Sequence, residues 1–333
     1  MKAACIDQYG PPEVIRVRDV PDPVPGPGEV LIRQVASTVT PADCAFRSAD
    51  PAIVRLFAGL TKPKQPIPGG AIAGVVEAVG SGVTRFRPGE RVFGTTDPLP
   101  GAMAELVATA ADGALVPMPA DLDFGPAAGL TYSYLTAMPF LRDEAKLQPG
   151  QQVLINGAAG SIGTVAVQLA VHMGARVTAV CSTRNIELVR SLGAHEVIDR
   201  TKSDFTAAHE RYDAIFDTVG KSSFAASRGA LKPGGIYLTT TPSMAILFNM
   251  LRRKRADGKR AKLATTGLRP IPDKARDMSE LARLIKAGVL RAVIDRTYPL
   301  SQIAEAHRYV ETGTNAGDVI IAIGSPDAGP VSR

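Results

Sequence analysis

Two hydrophobic textures alternate along the chain. From Met1 to about Pro119, short strand-like runs such as "EVLIRQVAST", "IAGVVEAVG" and "AELVATA" are cut by Gly/Pro turns, among them "PDPVPGPGE" and "RFRPGERVFG". Runs punctuated this way predict a compact, barrel-like β unit. Beyond "LQPGQ", continuous apolar runs alternate with segments of helical period: "VLIN", a helix over 161–173, "VTAV", a helix over 187–192, "EVID", "DAIFDTVG", a helix near 222–231 and "GIYLTTT". Strands apolar on both faces with helices between them predict an α/β fold, a doubly wound parallel sheet covered on both sides. The tail returns to the first texture with "AVIDRTYPL", a helix over about 301–311 and a last strand "DVIIAI". Both ends therefore read as one discontinuous β-rich domain, 1–121 completed by 289–333, with an α/β domain inserted over 122–288. The final "GSPDAGPVSR" reads as a loose end.

The inserted domain opens on "VLINGAAGSIGTVAVQLA", where Gly157, Gly160 and Gly163 separate strand from helix. Without β-carbons there, backbone amides at the helix N-terminus, with Ser161 and Ile162 in its first turn, approach a pyrophosphate closely. The helix behind sets Ile162, Val165, Ala166, Leu169, Ala170 and Met173 on one face, as packing on a sheet requires. The spacing is GxxGxxG and lacks the Lys-Ser/Thr ending of a triphosphate loop, which disfavours ATP or GTP hydrolysis. A second strand that serves NAD usually ends in Asp or Glu, which binds the ribose hydroxyls. Here "VTAVCSTRN" places Ser182, Thr183 and Arg184 at that end. Two hydroxyls and a guanidinium suit phosphate oxygens, so NADPH is expected over NADH. The alternative is that Thr183 caps the following helix and Arg184 is solvated.

Composition narrows the picture further. With 333 residues, 45% of them hydrophobic, the chain can bury a sizeable core and favours two domains. No apolar run reaches the length needed to span a bilayer and no signal-peptide core opens the chain, so a cytoplasmic protein is expected. Cys5, Cys44 and Cys181 lie far apart, which suggests buried free thiols. A net charge of +6 admits anionic partners, and a small-molecule phosphate meets that as well as nucleic acid does. Absent Trp and 5% aromatics argue against base-stacking platforms. The run "MAILFNMLRRKRADGKRAK", whose basic part spans 252–262, falls between two expected strands and reads as a connecting helix and solvated loop; a peripheral membrane contact is the alternative.

In order along the chain, "TPADCAFR", "AGVVEAVGSGVTRFRPGERVFG", "LTYSYLTAMPFL", "LQPGQQVLINGAAGSIG", "FDTVGKSSF", "LKPGGIYLTTTP" and "VIDRTYPLSQIAEAHRYVETG" resemble the medium-chain dehydrogenase/reductase superfamily, in its zinc-less quinone-oxidoreductase branch. The resemblance implies a GroES-like outer domain, a Rossmann cofactor domain and a substrate cleft. Zinc-dependent relatives place a Cys where this chain has Thr40, a His-Glu pair where it has Gly70 and Ala71, and a four-cysteine lobe that "TTDPLPGAMAE" omits. Those positions offer no thiolate or imidazole, so no zinc is expected. His172, His195, His209 and His307 are expected at surfaces or helix ends.

Without a Lewis acid, the substrate should already accept hydride readily, as a quinone or a carbonyl-conjugated alkene does. Thr40, where relatives often have Asn, with Asp43 and Arg47 on the same segment, form the candidate catalytic set; the alternative is that Asp43 fixes Arg47 or a turn. The resemblance also implies cofactor contacts from Thr136, from Asn156, Gly157 and Ala158, from Thr218 and Val219, and from Thr240 and Thr241 with Pro242 following. Tyr132 and Tyr134 either border the cleft or pack within their helix. Two alternatives stay open beside the NADPH-dependent reductase: a zinc-free alcohol or aldehyde dehydrogenase, and a non-catalytic NADPH-binding protein. A homodimer is compatible with the resemblance.

Overall fold

The computed structural model describes residues 1–251 and 257–325. Along the chain the elements are β1 (Lys2–Ile6), β2 (Ile15–Asp19), β3 (Glu29–Val39), α1 (Pro41–Ser48), α2 (Val54–Ala58), β4 (Ala71–Val79), β5 (Arg91–Thr95), β6 (Leu106–Ala110), β7 (Leu115–Pro117) and α3 (Phe124–Pro139). Then come β8 (Gln152–Asn156), α4 (Ser161–His172), β9 (Arg176–Cys181), α5 (Ile186–Ser191), β10 (Glu196–Asp199), β11 (Tyr212–Asp217), α6 (Phe224–Ser227), β12 (Leu231–Thr239), α7 (Met244–Leu251) and β13 (Arg260–Leu263). The chain closes with α8 (Ile271–Lys286), β14 (Ile294–Pro299), α9 (Ile303–Glu311) and β15 (Asp318–Ala322).

These elements form two compact units. The first comprises Met1–Tyr132, Pro270–Lys286 and the residues from Ala292 onward; the second comprises Ser133–Arg269 and Ala287–Arg291. Both ends of the chain thus lie in one unit, and so does α8, although its residues fall within the 122–288 insert expected from sequence. Lys274 of α8 is buried and ion-paired with Asp97 just beyond β5, at 2.9 Å. The start of α3 belongs there too, with Gly129 pressed so closely on Asp318 of β15 that a β-carbon would fall 2.8 Å from its Oδ2.

In the first unit the sheet runs β14-β15-β3-β4-β5-β7, with β6 added to β3. The long β3 is buried almost throughout because it is paired with β15, β4 and β6. One core gathers Val30, Ile32, Ile72, Val76, Phe86 and Val92 inside this curled sheet, and a second gathers Val39, Cys44, Ile303, Val310 and Ile321 beneath α9. The sequence reading anticipated neither α1 nor α8.

In the second unit all six strands are parallel, in the order β10-β9-β8-β11-β12-β13. This is the Rossmann order, first strand central, and it puts the topological switch point between β8 and β11. The helix after the glycine turn buries more than one stripe, since Thr164 to Ala170 are all buried. The helix expected near 222–231 is shorter, because Leu231 already begins β12. In the basic run, α7 precedes and β13 follows residues 252–256, which lie outside the described residues, as does the terminus from 326. No helix among the described residues is long and apolar enough to cross a membrane.

Candidate functional site

The glycine turn sits at the C-terminal end of β8, and its three glycines do different work. Gly157 adopts φ +81°, strained for any side chain, and a β-carbon there would stand 2.5 Å from Val219 Cγ1 and 2.7 Å from Thr218 Oγ1. A β-carbon on Gly163 would collide with the Gly157 carbonyl. Both are demanded by the turn itself. Gly160 is different: its backbone is ordinary, at φ −78° and ψ 173°, and its β-carbon would find nothing nearer than the Gly157 carbonyl at 3.5 Å. It occupies the N-cap of α4 without a capping side chain, with half-buried Ser161 and Ile162 following. Space left open before the positive end of a twelve-residue helix fits an anionic diphosphate, and a side chain at 160 would enter that space. The residues present therefore fit a dinucleotide.

A buried carboxylate draws the neighbouring strand ends together. Asp217, at the end of β11 and 0% exposed, accepts hydrogen bonds from Asn156 Nδ2 (3.0 Å), Tyr237 Oη (2.9 Å) and the backbone amides of Val219 (3.2 Å), Gly220 (3.0 Å) and Ser222 (3.0 Å). Thr218 Oγ1 donates to the Asn156 carbonyl at 2.9 Å, and Thr240 Oγ1 to the Thr218 carbonyl at 3.2 Å. Asn156, Gly157, Thr218, Val219 and Thr240 thus form one constellation, with Ala158 buried behind the turn and Thr241 exposed beyond Thr240. Val219 stands 44% exposed, an apolar side chain held at the rim by this network. The sequence reading missed Asp217; a lone Asp closing an otherwise apolar strand was the available signal. Thr136 lies half-buried on α3, and no hydrogen bond among the described residues ties it to this group.

At the end of β9, Ser182 is half-buried and Thr183 and Arg184 are exposed. The structure corrects the alternative in which Thr183 caps the next helix. Its hydroxyl instead donates to Asp199 Oδ2 at 2.7 Å and lies 3.1 Å from Thr201 Oγ1. These hydroxyls, Thr183 foremost, hold the Asp199 carboxyl below its usual range.

In the first unit, Thr40 and Asp43 make a reciprocal capping box on α1. Thr40 Oγ1 donates to Asp43 Oδ2 at 2.6 Å, the Thr40 amide donates to the same oxygen at 2.8 Å, and the Asp43 amide returns a 3.3 Å bond to Thr40 Oγ1. The one hydroxyl hydrogen of Thr40 is therefore committed, which corrects its expected part as a donor to substrate. Burial pushes the Asp43 carboxyl up, partly offset by these bonds. Arg47 is also corrected: 1% exposed, it bonds the Gly10 carbonyl at 2.7 Å and pairs with Glu311 of α9. Its position joins α1 to α9.

His307 departs furthest from expectation. It is fully buried on α9, with Nδ1 3.4 Å from Cys44 Sγ, and burial followed by the Arg47 charge pushes it down to about 3. Burial likewise raises the Cys44 thiol to about 12, so the pair is neutral. All three cysteines are free and buried. No cluster of three or more His, Cys, Asp or Glu side chains able to hold a metal occurs among the described residues.

Two hydroxyls lie on the side-chain side of Gly70, just before β4. A β-carbon on Gly70 would collide with Tyr132 Oη and lie 3.5 Å from Thr96 Oγ1. Tyr134, two residues on, is wholly buried and is a packing residue.

Comparison with known proteins agrees with this architecture. Residues 26–120 match the family model for an alcohol dehydrogenase GroES-like domain, and residues 192–321 that for a zinc-binding dehydrogenase. Among curated proteins, the chain is 33% identical to the NAD(P)H oxidoreductase RTN4IP1, mitochondrial, of Mus musculus, over 97% of this chain and 89% of that one. It is 32% identical to a 2-haloacrylate reductase of a Burkholderia species, over 96% and 98%. Among solved structures, the quinone oxidoreductase from Coxiella burnetii superposes with a TM-score of 0.85 at 28% identity, covering 97% of this chain and 99% of that one. The chain belongs to the quinone oxidoreductase-like branch of the medium-chain dehydrogenase/reductase superfamily, a family of NAD(P)H-dependent oxidoreductases.

Proposed function

We propose that this protein is an NADPH-dependent, metal-independent reductase of quinones or α,β-unsaturated carbonyls. The observation that supports it most is the open Gly160 cradle at the switch point of a Rossmann sheet, continuous with the Asn156–Thr218 cluster. In this reading Gly157, Ala158, Gly160, Ser161, Ile162 and Gly163 receive the diphosphate. Ser182 and Arg184 receive the 2′-phosphate, with the Thr183 hydroxyl held on Asp199 beside them, while Thr136, Asn156, Thr218, Val219, Thr240 and Thr241 border the nicotinamide side.

When bound, the cofactor supplies a hydride, two electrons with one proton. The protein's own share is to orient, to exclude water and to stabilise negative charge on the acceptor's oxygen. Asp217 acts as a positioning residue, since it holds the Thr218–Ser222 turn against Asn156. The Thr40–Asp43 box fixes the start of α1. With no donor cluster suited to zinc among the described residues, an acceptor already activated by conjugation fits the site's chemistry. A soluble cytoplasmic location belongs to the same proposal.

The test is turnover of the purified protein, following NADPH and NADH loss separately against quinones, enones and simple aldehydes with a chelator present. NADPH oxidation with quinones or enones is expected. Preferential use of NADH would overturn the assignment of Ser182 and Arg184, and turnover of aldehydes alone would favour the zinc-free dehydrogenase.

A further inference from the structure

We propose that the hydroxyls of Tyr132 and Thr96, both lying on the side of Gly70 where a side chain would project, form a carbonyl-oxygen subsite that hydrogen-bonds the substrate and stabilises the oxyanion formed as it is reduced. This inference rests on the reductase reading and names the part of the site that carries the substrate's polar end.

Three observations lead to it. First, both hydroxyls lie where a side chain on Gly70 would project: a β-carbon there would displace Tyr132 Oη and stand 3.5 Å from Thr96 Oγ1. Second, Thr96 is 8% exposed and its Oγ1 has no hydrogen-bond partner among the described residues, although buried hydroxyls are almost always satisfied. Leaving one unpaired is unfavourable, and a ligand oxygen would satisfy it. Third, the nearby carboxylates are already matched. Asp97 accepts from Thr95 Oγ1 (3.1 Å) and Lys274 Nζ (2.9 Å), and Asp43 Oδ2 accepts from Thr40. Neither draws a hydrogen bond from Tyr132, which is half-buried and so not sealed in the core.

Burial, with the charges of Asp97 and Asp43, raises the Tyr132 phenol well above its ordinary value. The phenol therefore remains a donor throughout the neutral and alkaline range. In the step it serves, hydride adds to the β-carbon of an enone, the alkene's electron pair moves to the carbonyl, and the oxygen gains the negative charge. Tyr132 and Thr96 donate hydrogen bonds to that oxygen; water then delivers the proton to the α-carbon, and the nicotinamide is left oxidised.

The experiment compares the wild type with Tyr132→Phe, Thr96→Val and Gly70→Ala, the last of which sets a methyl group against Tyr132 Oη and displaces it. NADPH affinity, measured by fluorescence titration, checks that each variant retains its cofactor domain. In steady-state turnover with 2-cyclohexenone and p-benzoquinone, Tyr132→Phe and Gly70→Ala are expected to lower kcat by roughly a hundred-fold at unchanged NADPH affinity. Thr96→Val should lower it by about ten-fold, the cost of one weaker donor. A second readout needs no turnover: the carbonyl 13C shift of labelled 2-cyclohexenone bound to the protein should move downfield in the wild type and return toward the free value in Tyr132→Phe. Wild-type turnover with Tyr132→Phe within two-fold, or a bound carbonyl shift indifferent to Tyr132, would overturn the subsite while leaving the reductase reading in place. A Tyr132-dependent shift without any turnover would sustain the subsite and sink the reductase.

Discussion

At the scale of single residues, glycines and buried polar groups separate turn-making from ligand-making positions. Gly160→Ala places a methyl group where no atom is nearer than 3.5 Å, on a backbone alanine adopts freely. Its stability should fall by no more than about 1 kcal/mol, the usual cost of Ala at an N-cap. NADPH affinity should nevertheless fall by about ten-fold or more, since the methyl enters the cradle. A Gly160→Ala variant that binds NADPH with undiminished affinity in fluorescence titration would remove the cradle from the site. Asp217→Ala is the opposite case. It strands Asn156 Nδ2, Tyr237 Oη and three backbone amides, and each buried unsatisfied donor costs about 1 to 3 kcal/mol, partly recovered by relaxation and water. A loss of about 3 to 5 kcal/mol in urea denaturation is expected.

At the scale of elements, α1 and α9 are joined by the Arg47–Glu311 pair and the Cys44–His307 contact. The folded protein keeps His307 neutral down to about pH 3. The unfolded chain protonates the same imidazole below about pH 6.5, so it binds more protons than the native state over that window. Stability contributed by His307 is therefore whole above about pH 6.5 and drains as pH falls, by up to about 1.4 kcal/mol per pH unit, until about pH 3. Denaturant titrations between pH 7 and 4 should show this slope, and His307→Leu should flatten it. An equal slope in the variant would assign the acid sensitivity to other groups.

For the whole molecule, most candidate groups of the Rossmann unit lie at the ends of β8, β9, β11 and β12 or in the turns just beyond them. No described donor cluster can take a metal. Dialysis against a strong chelator is accordingly expected to leave both the unfolding temperature and the reductase rate unchanged, with no stoichiometric zinc found by elemental analysis of the purified protein. A rate lost on chelation and restored by zinc would overturn the metal-independent reading. The family match to a zinc-binding dehydrogenase over 192–321 makes this measurement informative.

Periodicity and turn chemistry by themselves determined the α/β architecture, the strand "EVID" over Glu196–Asp199, and the placement of the three glycines between β8 and α4. Those are local properties: an apolar run, a glycine spacing and a helical period are written in consecutive residues. Where α8 belongs was decided by tertiary structure, because a buried Lys finds its partner Asp97 far away in the chain. The same holds for the site. Thr40 looked like a free donor until folding brought its hydroxyl onto Asp43, and His307 looked like a surface residue until α9 laid it against Cys44. Tyr132 and Thr96 lie far apart in sequence, and only folding sets both hydroxyls beside Gly70. Hydrogen-bond partners and desolvation depend on three-dimensional neighbours, and no pattern along the chain encodes which of two hydroxyls will be left unpaired.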